Sequence, residues 1–119
     1  MNNINELKIW KEGMELAVEI YDVSAKFPSD ERFGLVSQVR RCAISIPSNI
    51  SEGAGRNTKG EFAQFLGIAN GSAYELQTQM IIAQRLGFVD QDKYNELLDN
   101  IEELQKMNYS LQKSLKAKP

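Results

Sequence analysis

Apolar residues recur at helical spacing in four stretches, and no segment alternates branched and polar residues along its whole length, so the chain predicts helices and no strands. The first helix is expected over about 6–26, with Trp10, Met14, Ala17, Val18 and Tyr21 as its buried face and acids opposite. Phe27-Pro28 should stop it, because proline pushes the preceding residue out of the α region and offers no N–H. Ser29 or Asp30 is then placed to cap a second helix over about 31–54, with Leu35, Val39, Ala43, Ile46 and Ile50 as its apolar stripe. Pro47 falls inside that stripe and predicts a kink. The alternative is two helices with Pro47 opening the second, for which Ile46 is a poor cap.

Thr58 and Glu61 stand in capping-box relation at the start of a third helix, about 59–86. Phe62, Phe65, Leu66, Ala69, Ala73, Leu76, Met80 and Ala83 mark its core face, and Gly87 suits its left-handed C-cap. Gly67 and Gly71 each cost about 1 kcal/mol relative to alanine in a helix, which points to a close backbone approach as compensation. Asp90 caps a fourth helix, about 91–116, with Val89 and Tyr94 as a staple. Its stripe is Tyr94, Leu97, Leu98, Ile101, Leu104, Asn108, Leu111 and Leu115, fraying towards Ala117-Lys118-Pro119. Four such helices on short connections predict one all-α domain over 1–119, an antiparallel up-down-up-down four-helix bundle with its second helix kinked at Pro47.

A second, polar stripe sets the second and third helices apart. Taking about 100° per residue, Gln38, Arg41, Asn49, Glu52 and Arg56 fall within about 40° of Ser45. On the third helix Gln64, Ile68, Gly71, Gln79 and Ile82 cluster in the same way around Glu75. An ordinary solvated face would hold more lysine and glutamate, so Gln38, Arg41, Ser45, Asn49, Glu52, Glu75 and Gln79 read as a polar assembly network, within the chain or between copies. Arg41 is expected to pair with Glu52 or Glu75.

The net charge is −2, unevenly spread. Residues 1–31 carry seven acids against three bases, whereas 32–60 carry Arg32, Arg40, Arg41, Arg56 and Lys59 against Glu52 alone. Lys113, Lys116 and Lys118 make the C-terminal stretch basic. Arg40, Arg56, Lys59, Lys113 and Lys116 are therefore the candidate nucleic-acid contacts, with Asn57 and Thr58 as further phosphate donors at a helix start.

With no histidine, the chain lacks Ser-His-Asp and Cys-His constellations and the Glu-x-x-His ligands of di-iron bundles. GAGRNTKG lacks the Gly-Lys-Ser/Thr ending of a P-loop and follows no strand. Glu52 and Glu75 fit salt bridges better than a catalytic or metal-binding carboxylate pair, and the single cysteine, Cys42, reads as a packed side chain. The expectation is a non-enzyme without cofactor or metal. No apolar run approaches a membrane span, and MNNINELKIW lacks the pattern of a secretory signal, so a cytoplasmic protein is expected.

Trp10, then FPSDERFGLVSQVRRCAISIPSNISEGAGR from Phe27 to Arg56, then EFAQFLGIANGSAYELQTQM from Glu61 to Met80, resembles the bundle proteins encoded by intervening sequences within bacterial large-subunit (23S) ribosomal RNA genes, often labelled a ribosomal protein family. The fourth helix matches only in pattern. The resemblance implies a ring-like homopentamer of unsettled biochemical role. A related branch, the accessory proteins of diversity-generating retroelements, is strongly basic and binds nucleic acid and a reverse transcriptase; this chain departs from it at net −2. The functional expectation is an oligomeric scaffold or RNA- or DNA-associated subunit. The alternative is a protein-only interaction module whose acidic first helix recruits a basic partner.

Overall fold

The computed structural model describes Ile4 and residues 7–116. Four helices follow one another: α1 Lys8–Ser24, α2 Leu35–Ala54, α3 Lys59–Arg85 and α4 Gln91–Lys116. Consecutive helices pack side by side and α4 closes against α1, giving an antiparallel bundle with extents of 50 × 23 × 20 Å. Glu6 and Ala117-Lys118-Pro119, expected at the two ends of the helical region, lie outside the described residues.

The caps explain where the helices begin and end. At α3, Thr58 Oγ1 accepts from the Glu61 N–H at 3.1 Å, and the Thr58 hydroxyl donates to the Glu61 carboxylate. Gly87 has φ +78°, its N–H donates to the Gln84 carbonyl, and the Phe88 N–H donates to the Ala83 carbonyl. This is a Schellman ending, which glycine adopts without a Cβ clash. Asp90 Oδ1 accepts from the Lys93 N–H at 2.9 Å to open α4.

The start of α2 differs from expectation. Ser29–Glu31 form a separate 3-10 turn and α2 begins at Leu35, so neither Ser29 nor Asp30 caps it. Glu31 reaches forward instead, its Oε1 accepting from the Leu35 N–H at 3.2 Å. The 3-10 turn and the turn that ends at Gly34 take up residues 31–34, which the expected helix includes. α2 then runs unbroken through Pro47 as one helix, setting aside the two-helix alternative.

The first helix is rotated relative to its expected register. Ile9, Gly13, Leu16, Ile20 and Val23 face the core, while Met14, Val18 and Tyr21 are exposed and Trp10 and Ala17 are half-buried. α1 is apolar around more than half of its circumference, so more than one face could turn inward. Gly13 packs against Ile46 and Pro47 of α2, where a Cβ would make ordinary contact at 3.5 Å.

Ile20, Ile46, Ile50, Leu66, Leu76, Met80, Leu97, Ile101 and Leu104 are fully enclosed, each stabilising the fold by about 1.5–3 kcal/mol relative to exposure. Gly67 and Gly71 make no close backbone approach: a Cβ at either would meet nothing within 4 Å. Their lost helix propensity has no compensation inside the chain.

Candidate functional site

The stripe of α1 that faces outward forms one wall of a surface groove. Trp10, Met14, Val18 and Tyr21 line an apolar groove of about 800 Å³ whose other wall is Ile44, Pro47 and the α2 serines, with Asp22 and Glu52 at its rim. Val18 is 61% exposed and Ile44 is 44% exposed. A contiguous apolar surface of this kind marks a binding face more often than solvent-facing helix.

On the other side of α2 lies the polar seam with α3. Arg41 Nη2 donates to Gln38 Oε1 at 2.8 Å and pairs with Glu75 at 3.3 Å, one of the two pairings expected for it. Both partners are half or more exposed, so this surface pair contributes at most about 1 kcal/mol. Ser45 Oγ lies 2.8 Å from Ser72 Oγ, and the Asn49 amide donates to both the Ser45 hydroxyl and carbonyl. Ser72 was absent from the polar set read from sequence, although it lies one turn from Glu75. Gln79 is half-buried with its Oε1 unpartnered. Glu52 belongs elsewhere, pairing with Arg56 at 3.4 Å, so Glu52 and Glu75 each serve a different arginine.

Beyond the seam, α3 presents Ile68 and Ile82, 48% and 45% exposed, beside the open backbone at Gly67 and Gly71. The groove and this α3 face flank α2 on opposite sides.

The five candidate phosphate contacts do not form one patch. Arg40 sits near the α2 N-terminus, where Nε donates to Ser24 Oγ at 2.9 Å and Nη2 to the Tyr21 carbonyl at 3.2 Å, with the guanidinium stacked 4.5 Å from the Tyr21 ring centroid. It caps the α1 C-terminus, whose carbonyl dipole favours a cation. Arg56 lies sixteen residues on, just past the C-terminal end of α2 and so at the far end of that helix, roughly 24 Å away by helical rise. There it pairs with Glu52, approaches Glu61 at 3.9 Å and stacks on Phe65. Lys59 joins Arg56, Asn57 and Thr58 around a depression that Leu115 of α4 also lines. The antiparallel arrangement thus gathers Arg56, Lys59, Lys113 and Lys116 at one end of the bundle. Lys59, Lys113 and Lys116 take part in none of the ion pairs among the described residues.

Burial pushes the Cys42 thiol up from its ordinary 9.0, and Glu75 pushes it the same way. It is therefore protonated and weakly nucleophilic at neutral pH. No group of three or more metal-ligating side chains occurs among the described residues. No helix there is long and apolar enough to cross a membrane.

A family model described as 23S rRNA-intervening sequence protein matches residues 5–110. A crystal structure from Bacteroides thetaiotaomicron, of a protein of unknown function from the S23 ribosomal protein family, superposes with a TM-score of 0.82 at 23% identity. The match covers 88% of this chain and 95% of that one, a likeness of fold. Among curated proteins, none matches.

Proposed function

This chain belongs to the 23S rRNA-intervening sequence protein family, and from that premise we propose that it is a non-enzymatic, cytoplasmic scaffold subunit that assembles into a closed homo-oligomeric ring. The observation that carries this reading is the exposed apolar stripe of α1. Its natural complement is the α3 face of a second copy. The ridge Met14, Val18, Tyr21 fits the low channel over Gly67 and Gly71, where no Cβ stands in the way, with Ile68 and Ile82 beside it. Arg41 beside that face is already paired with Glu75, and Glu52 at the groove rim with Arg56, so the contact rests on apolar fit and not on opposite charge.

The two faces differ, so the contact is heterologous and must either close or propagate. Adjacent faces of a four-helix cross-section meet at about 90°, so repetition of the contact turns back on itself and closes a small ring. The subunit number of five is what the family resemblance implies, and it needs the two faces opened to about 108°.

Light scattering tests the reading. The wild-type protein should run at several times 13.4 kDa, near fivefold. Val18→Glu, exposed in the isolated subunit, should run near the monomer mass with its helical circular dichroism unchanged. A monomeric wild type would overturn the proposal.

A second reading is favoured by the basic end: the ring presents Lys59, Lys113 and Lys116 of each copy to the phosphates of RNA or DNA. Binding to labelled RNA should then fall steeply between about 50 and 150 mM salt. Lys59→Glu with Lys113→Glu should abolish it without changing the mass. Salt-independent binding, or none by the intact oligomer, leaves the protein-only scaffold.

A further inference from the structure

Helices α3 and α4 leave a second groove, about 560 Å³, bordered by Asn70, Tyr74, Gln77, Gln105, Lys106 and Tyr109. It differs in chemistry from the apolar groove of α1 and α2. Tyr74 and Tyr109 are 56% and 67% exposed, so each offers a ring face to solvent. One turn to the side of both rings, Gln105 Nε2 donates to Gln77 Oε1 at 2.9 Å, which fixes both amides while leaving each with further hydrogen-bonding capacity. Asn70 Oδ1 is enclosed and has no partner. Flipping that amide would merely orphan a donor instead.

The cations point to what such a groove accepts. Lys106, Tyr109 and Lys113 lie at i, i+3 and i+7, one stripe of α4 with an aromatic ring between two positive charges. That stripe leads to the end of α4, where Leu115 shares a depression with Arg56 and Lys59. Glu102, one turn before Lys106, borders the groove beyond this track and sets a limit to the phosphate path. Stacking faces, amides with unused capacity and a line of lysines are the elements by which proteins hold unpaired bases. Tyr74 follows Gly71 by one helical turn and so stands at the edge of the proposed assembly face, whereas Gln105, Lys106 and Tyr109 belong to α4, which takes no part in it.

We infer that the α3–α4 groove binds the bases of single-stranded nucleic acid that enters from the basic end. Tyr74 and Tyr109 stack on bases, Gln77 and Gln105 meet base edges, and Lys106 and Lys113 meet phosphates. This inference rests on the nucleic-acid reading above.

The test compares two labelled probes by fluorescence anisotropy at about 50 mM salt: a single-stranded oligodeoxythymidine and an abasic backbone of the same length. The wild type should favour the base-bearing strand by about fivefold or more. Tyr74→Ala with Tyr109→Ala should erase that preference and leave the abasic probe bound as before, while the double Tyr→Phe variant should keep it. Lys59→Glu with Lys113→Glu should weaken both probes. Equal binding of the two probes, unchanged in the double alanine variant, would overturn the groove inference and leave the basic-end reading standing. Binding of neither probe would overturn both. A change of oligomer mass in the double alanine variant, with probe binding unaltered, would make the groove a subunit contact and also overturn it.

Discussion

Alanine at Gly53 is expected to destabilise the bundle by about 3 kcal/mol, a large effect for a single methyl group. The added Cβ would lie 2.7 Å from Phe65 Cβ, 3.1 Å from Phe62 Cδ1 and 3.2 Å from the Phe62 carbonyl oxygen. A Cβ has no rotamer by which to move aside, and neither does a carbonyl held in the backbone of α3. The C-terminal turn of α2 must therefore separate from α3, loosening the packing around Phe62 and Ala54, both buried at that crossing. Urea unfolding should show a lower midpoint at an unchanged slope. Gly71→Ala should behave in the opposite way. Its Cβ meets nothing within 4 Å, so in the monomeric Val18→Glu background it should raise stability by about 1 kcal/mol through helix propensity. In the wild-type background the same methyl should weaken assembly by filling the channel proposed for α1. Indistinguishable stabilities for Gly53→Ala and wild type would contradict the close α2–α3 crossing.

Aspartate at position 108 is expected to cost about 3–5 kcal/mol near neutral pH, the range for an uncompensated buried charge. Asn108 is fully enclosed, donates to the Leu66 carbonyl at 2.9 Å and accepts from the Gln112 amide at 2.6 Å. The change N108D would turn a carboxylate oxygen towards that carbonyl where no cation is at hand. Burial raises such a carboxyl's pKa in the folded state above its unfolded value, so the folded chain holds its proton at a higher pH. The penalty is then full above the folded pKa and shrinks as pH falls through it, because the protonated acid can donate to Leu66 as the amide did. Chemical denaturation at pH 7 and pH 4.5 checks this: the gap between N108D and wild type should narrow at the lower pH. An equal gap at both would show that lost shape, and not charge, is responsible.

What the sequence revealed depended on how local each signal was. The starts of α3 and α4 and the end of α3 were legible because Thr58, Asp90 and Gly87 act on residues within a turn or two. The Arg41–Glu75 pair was legible as well, since 100° arithmetic puts both on matching stripes. The orientation of α1 was not. It bears two apolar stripes, and the larger side chains, Trp10, Met14, Val18 and Tyr21, are on the one that the core does not use. Periodicity measures how apolar a face is, not which neighbour covers it.

Charge counting along the chain failed for a related reason. Arg40 and Arg56 are near in sequence, yet one α-helix carries them to opposite ends of the bundle. Lys59 and Lys113, more than fifty residues apart, meet at the same end. Asn108 was placed on the buried stripe correctly, but its bond to Leu66 joins residues 42 apart and has no local signature.

The most direct measurement of the central claim is disulfide trapping between copies. In a Cys42→Ala background, a chain carrying both Val18→Cys and Ile68→Cys is oxidised mildly and run on a non-reducing gel beside chains carrying either change alone. If the α1 stripe of each copy meets the α3 face of the next, the double variant yields a ladder of covalent multimers ending at the ring size, and the single variants yield none. Dimers from Val18→Cys alone would show an isologous contact through α1, and an absence of any ladder from an oligomeric double variant would place the contact elsewhere; either result would contradict the assembly described here.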